Sequence, residues 1–263
     1  MQIGISTASL FMRLYNEDAV ALISEWGVKT SEVFLTSFCE YEPKFAQTLL
    51  QKKGSLHVNS VHVLNTQFEP QLFSRHPRVR ADAYLWLEKV MDSARILGAK
   101  YYTFHGLARL KASFKENLPW AGEKLQEISA FCKNKGVGLC LENVEWALYN
   151  RAGIFKELKK YCPDLKGVLD IKQAKISGYP YEEYLADMGE NLSFVHASDF
   201  DERGKMCLPG QGTFDFETLF KRLLDSGFDG AVIIENYNDD YRELKELKDS
   251  YEYLLEKAEK IFR

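Results

Sequence analysis

Four ionisable side chains each follow a short apolar run, and their types and spacing could hold a metal ion. Glu142 follows Gly-Leu-Cys-Leu, Asp170 follows Gly-Val-Leu, His196 follows Leu-Ser-Phe-Val and Glu235 follows Ala-Val-Ile-Ile. Three carboxylates brought close together repel one another, and a divalent cation is the simplest compensation. The alternative is that these are four unrelated capping or rim residues.

The ligand types narrow the choice of ion. Three carboxylate oxygens and one imidazole nitrogen suit manganese, magnesium, cobalt or iron, and zinc also accepts such a set. We expect one divalent ion per chain, with manganese as the first choice.

These four residues can lie close together only if they are at the ends of neighbouring strands. The sequence pattern predicts strands at the required places. Short runs rich in β-branched and aromatic residues predict eight strands. They are Gln2–Thr7, Thr30–Leu35, Val58–Leu64, Tyr101–His105, Val137–Glu142, Gly167–Asp170, Leu192–Ala197 and Ala231–Glu235.

Amphipathic stretches alternate with these strands and predict helices. The clearest are Asn16–Trp26 with Asn16 as a candidate cap, Val79–Leu97, Leu118–Asn134, Phe216–Ser226 capped by Asp215, and Tyr241–Phe262. Eight strand–helix units over 263 residues favour a single-domain α/β chain folded as a (β/α)8 TIM barrel over residues 1–263, with an open doubly wound sheet as the competing architecture. In such a barrel the four strand ends lie side by side on the rim.

Composition excludes several other classes of protein. The formal net charge of -4 gives no support for nucleic-acid binding. The five cysteines show no CxxC pair, so they favour reduced thiols over a thiolate metal site. The sequence has no signal-peptide pattern and no apolar run long enough for a membrane span, so we expect a cytoplasmic protein without membrane association. A homo-oligomer remains compatible with the sequence.

The order of these motifs resembles the xylose isomerase-like, or sugar phosphate isomerase/epimerase, superfamily, which also contains the endonuclease IV class of repair enzymes. The matching segments are Ser60-Val-His62, Thr103-Phe-His105, Leu141-Glu142-Asn143, Leu169-Asp170, Val195-His196-Ala-Ser-Asp199, Leu208-Pro-Gly-Gln-Gly212 and Ile234-Glu235-Asn236. The resemblance implies a TIM barrel in which Glu142, Asp170, His196 and Glu235 take the positions of the family's metal ligands. In the ketose epimerases of this family, the two corresponding glutamates also act as acid and base.

Two departures from the family pattern weaken the nuclease interpretation. Gln173 stands three positions after Asp170, where family members often carry a histidine. The stretch Arg203-Gly-Lys-Met-Cys207 has neither the aspartate nor the histidine of the repair nucleases. The second and third nuclease metal sites are therefore expected to be incomplete.

Further side chains near the predicted strand ends are candidates for substrate binding. His62 and His105 end the third and fourth strands, Gln173 and Lys172 follow the sixth, Arg203 follows the seventh, and Trp146 follows the fifth. An imidazole can bond a hydroxyl group and an indole can stack on a sugar ring. Plain hydrogen bonding at the rim, surface charge and aromatic packing are the alternatives.

Together these features predict a divalent-metal-dependent isomerase or epimerase that acts on a small ketose or related polyhydroxy carbonyl compound by proton transfer through an enediolate. Three alternatives remain open at this point. They are a dehydratase acting on an inosose-type ketone, an endonuclease IV-like nuclease, and a non-catalytic sugar-binding barrel.

Overall fold

Eight parallel strands close into a barrel in the computed structural model, which describes residues 1–64, 68–109 and 116–262. The strands are β1 Gln2–Ser6, β2 Thr30–Leu35, β3 His57–Val63, β4 Tyr101–Phe104, β5 Gly138–Glu142, β6 Lys166–Asp170, β7 Leu192–Ala197 and β8 Ala231–Ile234. They follow one another around the barrel in chain order, and β1 closes it by pairing with β8. The predicted α/β class and (β/α)8 TIM-barrel fold are confirmed.

Helices connect the strands on the outside of the barrel. Within the described residues they are α1 Asn16–Glu25, α2 Pro43–Lys52, α3 Pro77–Leu97, α4 Leu118–Asn134, α5 Ile154–Lys159, α6 Ile171–Ser177, α7 Tyr181–Met188, α8 Phe216–Asp225 and α9 Leu244–Ile261. No helix in these three described ranges is both long enough and apolar enough to cross a bilayer.

Three helix starts differ from the sequence prediction, and one of them is the start of α3, which begins at Pro77 rather than Val79. Asn16 is the first helical residue rather than the cap. Its side-chain amide does not cap the helix, because its nitrogen donates to the Phe34 carbonyl and to Glu40. The last helix begins at Leu244 rather than Tyr241, because residues 238–240 form a separate 3-10 turn and Glu243 caps the helix. The cap at Asp215 is confirmed, since its carboxylate accepts from the Thr218 amide.

A short antiparallel ribbon follows β7, formed by residues 199–200 and 206–207. The buried Asp199 carboxylate accepts backbone bonds from Gly210, Gly212 and Phe214 in the loop after the ribbon. A Cβ atom at Gly212 would lie 2.3 Å from the Phe200 carbonyl oxygen, so only glycine fits this approach. The Leu208–Gly212 motif is thus explained by the shape of a loop.

Side chains that point into the barrel from β5 to β8 form two layers, since residues two apart on a strand face the same side. The lower layer is apolar and buried, and consists of Cys140, Val168, Phe194 and Ile233. The ligand layer lies two residues further along each strand, and consists of Glu142, Asp170, His196 and Glu235, all buried. Alternation alone therefore directs the four predicted ligands into the mouth.

Candidate metal centre

The four ligand-layer side chains converge around the imidazole of His196. Its Nδ1 atom lies 2.8 Å from Glu142 Oε1, 3.1 Å from Glu235 Oε2 and 3.8 Å from Asp170 Oδ2. One donor atom from each of the four lies within 4.8 Å of the others. Donors bound to one ion at about 2.0–2.2 Å fall within roughly this distance of one another.

The donor set fits a divalent ion in its chemistry as well as its spacing. Asp170 Oδ2 is buried and has no hydrogen-bond partner within the described residues, although an orphaned carboxylate oxygen is costly. The other Asp170 oxygen accepts from the Gln173 amide, 2.6 Å away. An ion among these ligands would satisfy the free oxygen and offset the three carboxylates.

Asn143 ties two of the ligand strands together directly beside the ligands. Its side-chain amide donates to the Asp170 carbonyl at 2.9 Å, and its side-chain oxygen accepts from the Asp170 amide at 2.8 Å. These two bonds close the ends of β5 and β6 together. They fix the backbone from which Glu142 and Asp170 project.

Glu32 lies behind His196 and was not identified from the sequence. Its Oε1 atom is 3.1 Å from His196 Nε2, on the side of the ring away from the other ligands. Ser60 and Thr103 hydroxyls donate to the second Glu32 oxygen. A carboxylate behind a metal-binding histidine typically orients the ring, and Nδ1 of His196 here faces the other three proposed ligands.

Charges in the metal-free centre are balanced by protons on imidazoles. Burial opposes ionisation of Glu235, but His196 and Lys172 outweigh it and hold its pKa well below the usual range. Burial lowers the pKa of His196, but Glu235 and Glu32 outweigh it and raise that pKa well above its usual value. For Asp170, burial dominates and raises its pKa to about 6. A bound cation would replace the proton on His196.

A second group of possible ligands adjoins the first. His62 Nε2 lies 2.9 Å from His105 Nε2, and His105 Nε2 lies 3.7 Å from Glu142 Oε2. Ligand atoms of His62, His105 and Glu142 also cluster within 4.8 Å. His62, His105 and the shared Glu142 thus form a second candidate group, while the Arg203–Cys207 stretch still lacks the aspartate and histidine of the repair nucleases.

Glu69 fixes the ring of His105 and was also missed. This buried carboxylate lies 3.0 Å from His105 Nδ1 and accepts from the Tyr102 hydroxyl at 2.5 Å. A proton on Nδ1 leaves Nε2 of His105 as an acceptor toward His62. Glu69 follows no apolar run, so no sequence pattern marked it.

Lys172 is buried at the edge of the metal centre. Its Nζ atom lies 3.8 Å from Glu235 Oε2 and 4.1 Å from the centre of the Tyr237 ring, with no hydrogen-bond partner among the described residues. Burial lowers its pKa, but Asp170 and Glu235 outweigh this and raise it. A solvated surface charge is therefore ruled out for Lys172, and its ammonium offsets one carboxylate.

A cavity of about 100 Å³ opens above the ligand layer. Of the candidate substrate-binding residues, His62, His105, Trp146 and Gln173 line it together with Phe34 and Tyr237. Arg203 does not line it within the described residues, because it lies in the exposed turn of the ribbon. Gln173 is oriented by its side-chain oxygen, which accepts from the Glu145 amide.

Comparison with known proteins identifies the family. The profile of the xylose isomerase-like TIM barrel matches residues 20–257. The chain belongs to this family. It is also 30% identical over 279 aligned residues to an uncharacterized protein of Methanocaldococcus jannaschii, covering 98% of this chain and 92% of that one.

Named relatives are more distant. The chain is 24% identical over 165 residues to fructoselysine 3-epimerase of Escherichia coli O157:H7, and the match spans only 60% of either protein. Its fold is similar to a D-tagatose 3-epimerase-like protein, with a TM-score of 0.81, 20% identity and coverage of 100% and 98%. D-psicose 3-epimerase of Clostridium cellulolyticum H10 gives a TM-score of 0.80 at 16% identity, with full coverage of both chains. These structures share the barrel with this member of the family.

Proposed function

We propose that this protein is a divalent-metal-dependent epimerase of a ketose or a related polyhydroxy carbonyl compound. The observation that carries the proposal is the convergence of Glu142, Asp170, His196 and Glu235 on one buried point below a cavity. Relatives named as 3-epimerases support the same reaction class. Manganese is the ion that we favour for the centre.

Glu142 and Glu235 are the proposed acid–base pair. A divalent ion held beside them supplies Lewis acidity that acidifies the C–H bond next to a substrate carbonyl. Glu142 extends from β5 and Glu235 follows β8, so the two carboxylates come from opposite ends of the four-strand arc that bears the ligands. One removes the proton from the carbon beside the carbonyl, and the other delivers a proton to the opposite face. Such groups typically contribute about 10²–10⁴-fold each.

The residues around the cavity would hold the sugar in place. His62 and His105 bond substrate hydroxyl groups, Gln173 bonds an oxygen near Asp170, and Trp146 packs against the carbon face of the sugar. The Trp146 ring lies 5.3 Å from the His105 ring, so the two form one side of the cavity. Lys172 keeps the negative charge of the centre low while the carboxylates are ionised.

The test is hydrogen exchange during turnover. Manganese-loaded protein in D₂O, given a panel of ketopentoses and ketohexoses, should incorporate one deuterium at the carbon next to the carbonyl, measured by mass spectrometry. Glu142→Gln and Glu235→Gln should both lose this exchange, whereas the exposed Glu157→Gln should keep it. Because each glutamate is also a proposed ligand, metal content is measured for every variant.

Product analysis separates the alternatives. Loss of water from the sugar would indicate a dehydratase, and incision of an abasic DNA duplex would indicate a nuclease. Turnover with complete retention of the original hydrogen would contradict the two-glutamate mechanism, since it requires a direct hydride shift. Sugar binding without any exchange would identify a non-catalytic barrel.

A further inference from the structure

Strands β3 to β8 each place an ionisable side chain at the mouth of the barrel, whereas β2 places a phenyl ring there. Residues two apart on a strand face the same side. Glu32 of β2 faces the interior, where it contacts His196, so Phe34 faces inward at the mouth. The ionisable side chains at or directly after the ends of the other strands are His62, His105, Glu142, Asp170, His196 and Glu235. The phenyl ring has no hydrogen-bonding group for a sugar oxygen, so its contribution at this position is one of shape.

Phe34 also lies between two cavities. The cavity at the metal centre has a volume of about 100 Å³. A second cavity of about 680 Å³ lies between the segments that follow β1 and β2. Within the described ranges, Phe34 is the single residue that lines both. Its ring packs between those of His62 and Phe11, with ring centres 5.2 Å and 6.0 Å away, and thus forms the wall that the two cavities share.

The Phe34 ring is held in place through its backbone and its neighbours. The Phe34 amide donates to the Thr7 hydroxyl at 2.8 Å, and its carbonyl accepts from the Asn16 side-chain amide at 2.7 Å. Phe34 also pairs with His62 in the register of β2 and β3, which sets the two rings side by side. Only 7% of Phe34 is exposed. The ring must therefore give up close packing in order to move aside for a ligand.

The sizes of the two cavities give this wall its importance. A volume of about 100 Å³ equals the space of roughly three water molecules, enough for the carbons around a reacting carbonyl group. Small-molecule sites usually enclose about 300–1,000 Å³, and of these two cavities only the second lies in that range. The Phe34 ring thus separates the metal centre from the larger of the two volumes.

We propose that Phe34 is the residue that limits the chain length of the substrate. The inference rests on the proposed function, because it places the carbonyl end of a ketose at the metal centre. A short ketose fits beside the proposed ligands, whereas the additional carbons of a longer ketose meet the Phe34 ring. A smaller side chain at this position joins the two cavities and admits those carbons into the second one. Phe34 determines specificity alone, since it supplies no metal ligand, acid or base.

Ketoses of increasing length test this limit. Manganese-loaded protein in D₂O is given a ketotetrose, a ketopentose, a ketohexose and a ketoheptose with the same configuration next to the carbonyl, and hydrogen exchange gives kcat and KM for each. For the wild-type protein we expect kcat/KM to fall by about tenfold or more from the ketopentose to the ketoheptose, since even one additional carbon can cost this much in a closed pocket. Phe34→Ala should abolish the fall and leave kcat for the ketopentose unchanged.

Two further variants separate the shared wall from general effects of a cavity. Phe34→Leu keeps an apolar side chain and should shift the length preference in the same direction by a smaller factor, which provides the test if Phe34→Ala does not fold. Phe45 of α2 lines the second cavity but, among the described residues, not the cavity at the metal centre. Phe45→Ala enlarges the second cavity while the wall stays in place, so it should keep the wild-type order of the ketoses.

Binding of alkyl hydroxamates gives a readout that needs no turnover. A hydroxamate chelates a divalent ion through two oxygens, as adjacent carbonyl and hydroxyl groups do. In calorimetry, the wild-type protein should bind acetohydroxamate at least as tightly as octanohydroxamate. Phe34→Ala should prefer octanohydroxamate by about tenfold or more, since each methylene removed from water contributes up to about fourfold. Octanohydroxamate should then slow the alkylation of Cys39, an exposed residue of the second cavity, by iodoacetamide in this variant and not in the wild type.

Three results would overturn the inference. One is a wild-type kcat/KM that does not depend on chain length. Another is a folded, metal-loaded Phe34→Ala variant that keeps the wild-type order of both ketoses and hydroxamates. The third is a change in that order in Phe45→Ala as large as in Phe34→Ala. A shifted hydroxamate preference without hydrogen exchange in any ketose would instead contradict the proposed reaction and support the wall at Phe34, so the two failures are distinguishable.

Discussion

The lower layer and the ligand layer of the barrel occupy neighbouring positions on the same four strands, yet they follow opposite physical rules. The lower layer is apolar and close-packed, and it needs nothing beyond the chain itself. The ligand layer buries three carboxylates and an imidazole, with Glu32 behind them. The lower layer can stabilise the barrel by apolar packing, whereas the ligand layer requires compensation for its buried charges.

The largest expected effect comes from removing one ligand. Asp170→Asn keeps the shape of the side chain but loses the charge of a buried ligand. Metal affinity should fall by more than the roughly 10–100-fold that is typical when an outer partner of a ligand is lost. Competition with a chelator measures the affinity, and the exposed Asp164→Asn serves as control. Full retention of metal binding in Asp170→Asn would show that the Asp170 carboxylate is not a metal ligand.

The corresponding change in the lower layer should act on stability instead. Phe194→Ala removes a fully buried ring and should lower the free energy of unfolding of the metal-free protein by about 3–5 kcal/mol. Urea denaturation measures it, with the partly exposed Leu224→Ala as the control. Metal stoichiometry should stay the same when the protein is folded, and a loss of metal binding would show that the two layers are not separable.

Glu32 should affect metal binding through the imidazoles beside it, since its Oε1 atom lies 3.1 Å from His196 Nε2 and 3.4 Å from His62 Nδ1. Glu32→Gln keeps the size of the side chain but removes the negative charge behind the ring. We expect metal affinity to fall by about 10–100-fold, with one ion still bound at saturation. Calorimetry in the presence of a competing chelator measures this effect. An unchanged affinity would mean that Glu32 contributes only to packing.

Metal affinity should also depend on pH, and the sign of this dependence follows from the shifted pKa values. His196 has a raised pKa and carries a proton in the metal-free protein at neutral pH, so binding must release it and affinity should rise with pH. The slope is about tenfold per pH unit for each proton released. Below pH 6 Asp170 is protonated as well, so the slope should steepen there. A flat profile from pH 5 to 8 would contradict this description.

Asp170 also links pH to the stability of the metal-free fold. Its pKa is raised to about 6 by burial, so the unfolded chain loses this proton at a lower pH than the folded one. The contribution of Asp170 to stability therefore falls as pH rises from about 4 to 6. Bound metal should reverse this trend, because the ion stabilises the ionised form.

The sequence predicted the strands and the ligand layer well because both depend on local pattern. Helix α4 was predicted with its observed bounds, and the structure shows Asn117 capping its start and Gly136 following its end. The four proposed ligands could be singled out because each directly follows an apolar run, and the structure brings them together. The clustering of His62, His105, Trp146 and Gln173 at the cavity agrees with their positions near strand ends.

The residues that were missed share a different origin. Glu32 lies inside a buried strand, and an alternating sequence pattern does not identify the residue that it contacts across the barrel. Glu69 lies in a 3-10 turn without periodicity. Arg203 was singled out by its distance from β7, but the Asp201 carboxylate accepts amide bonds that form an exposed turn around it. Such pairings across the barrel depend on three-dimensional closure, which spacing along the chain cannot supply.

The two hydrogen bonds of the Asn143 side chain bear on the size of the ion that the proposed metal centre can accept. Because its amide holds the ends of β5 and β6 together, Glu142 and Asp170 cannot move apart without breaking both bonds. Calcium requires six to eight oxygen ligands at about 2.3–2.6 Å, whereas smaller divalent ions accept a tighter shell. We therefore expect this clamp to disfavour calcium relative to smaller divalent ions, because it limits how far the backbones of Glu142 and Asp170 can separate.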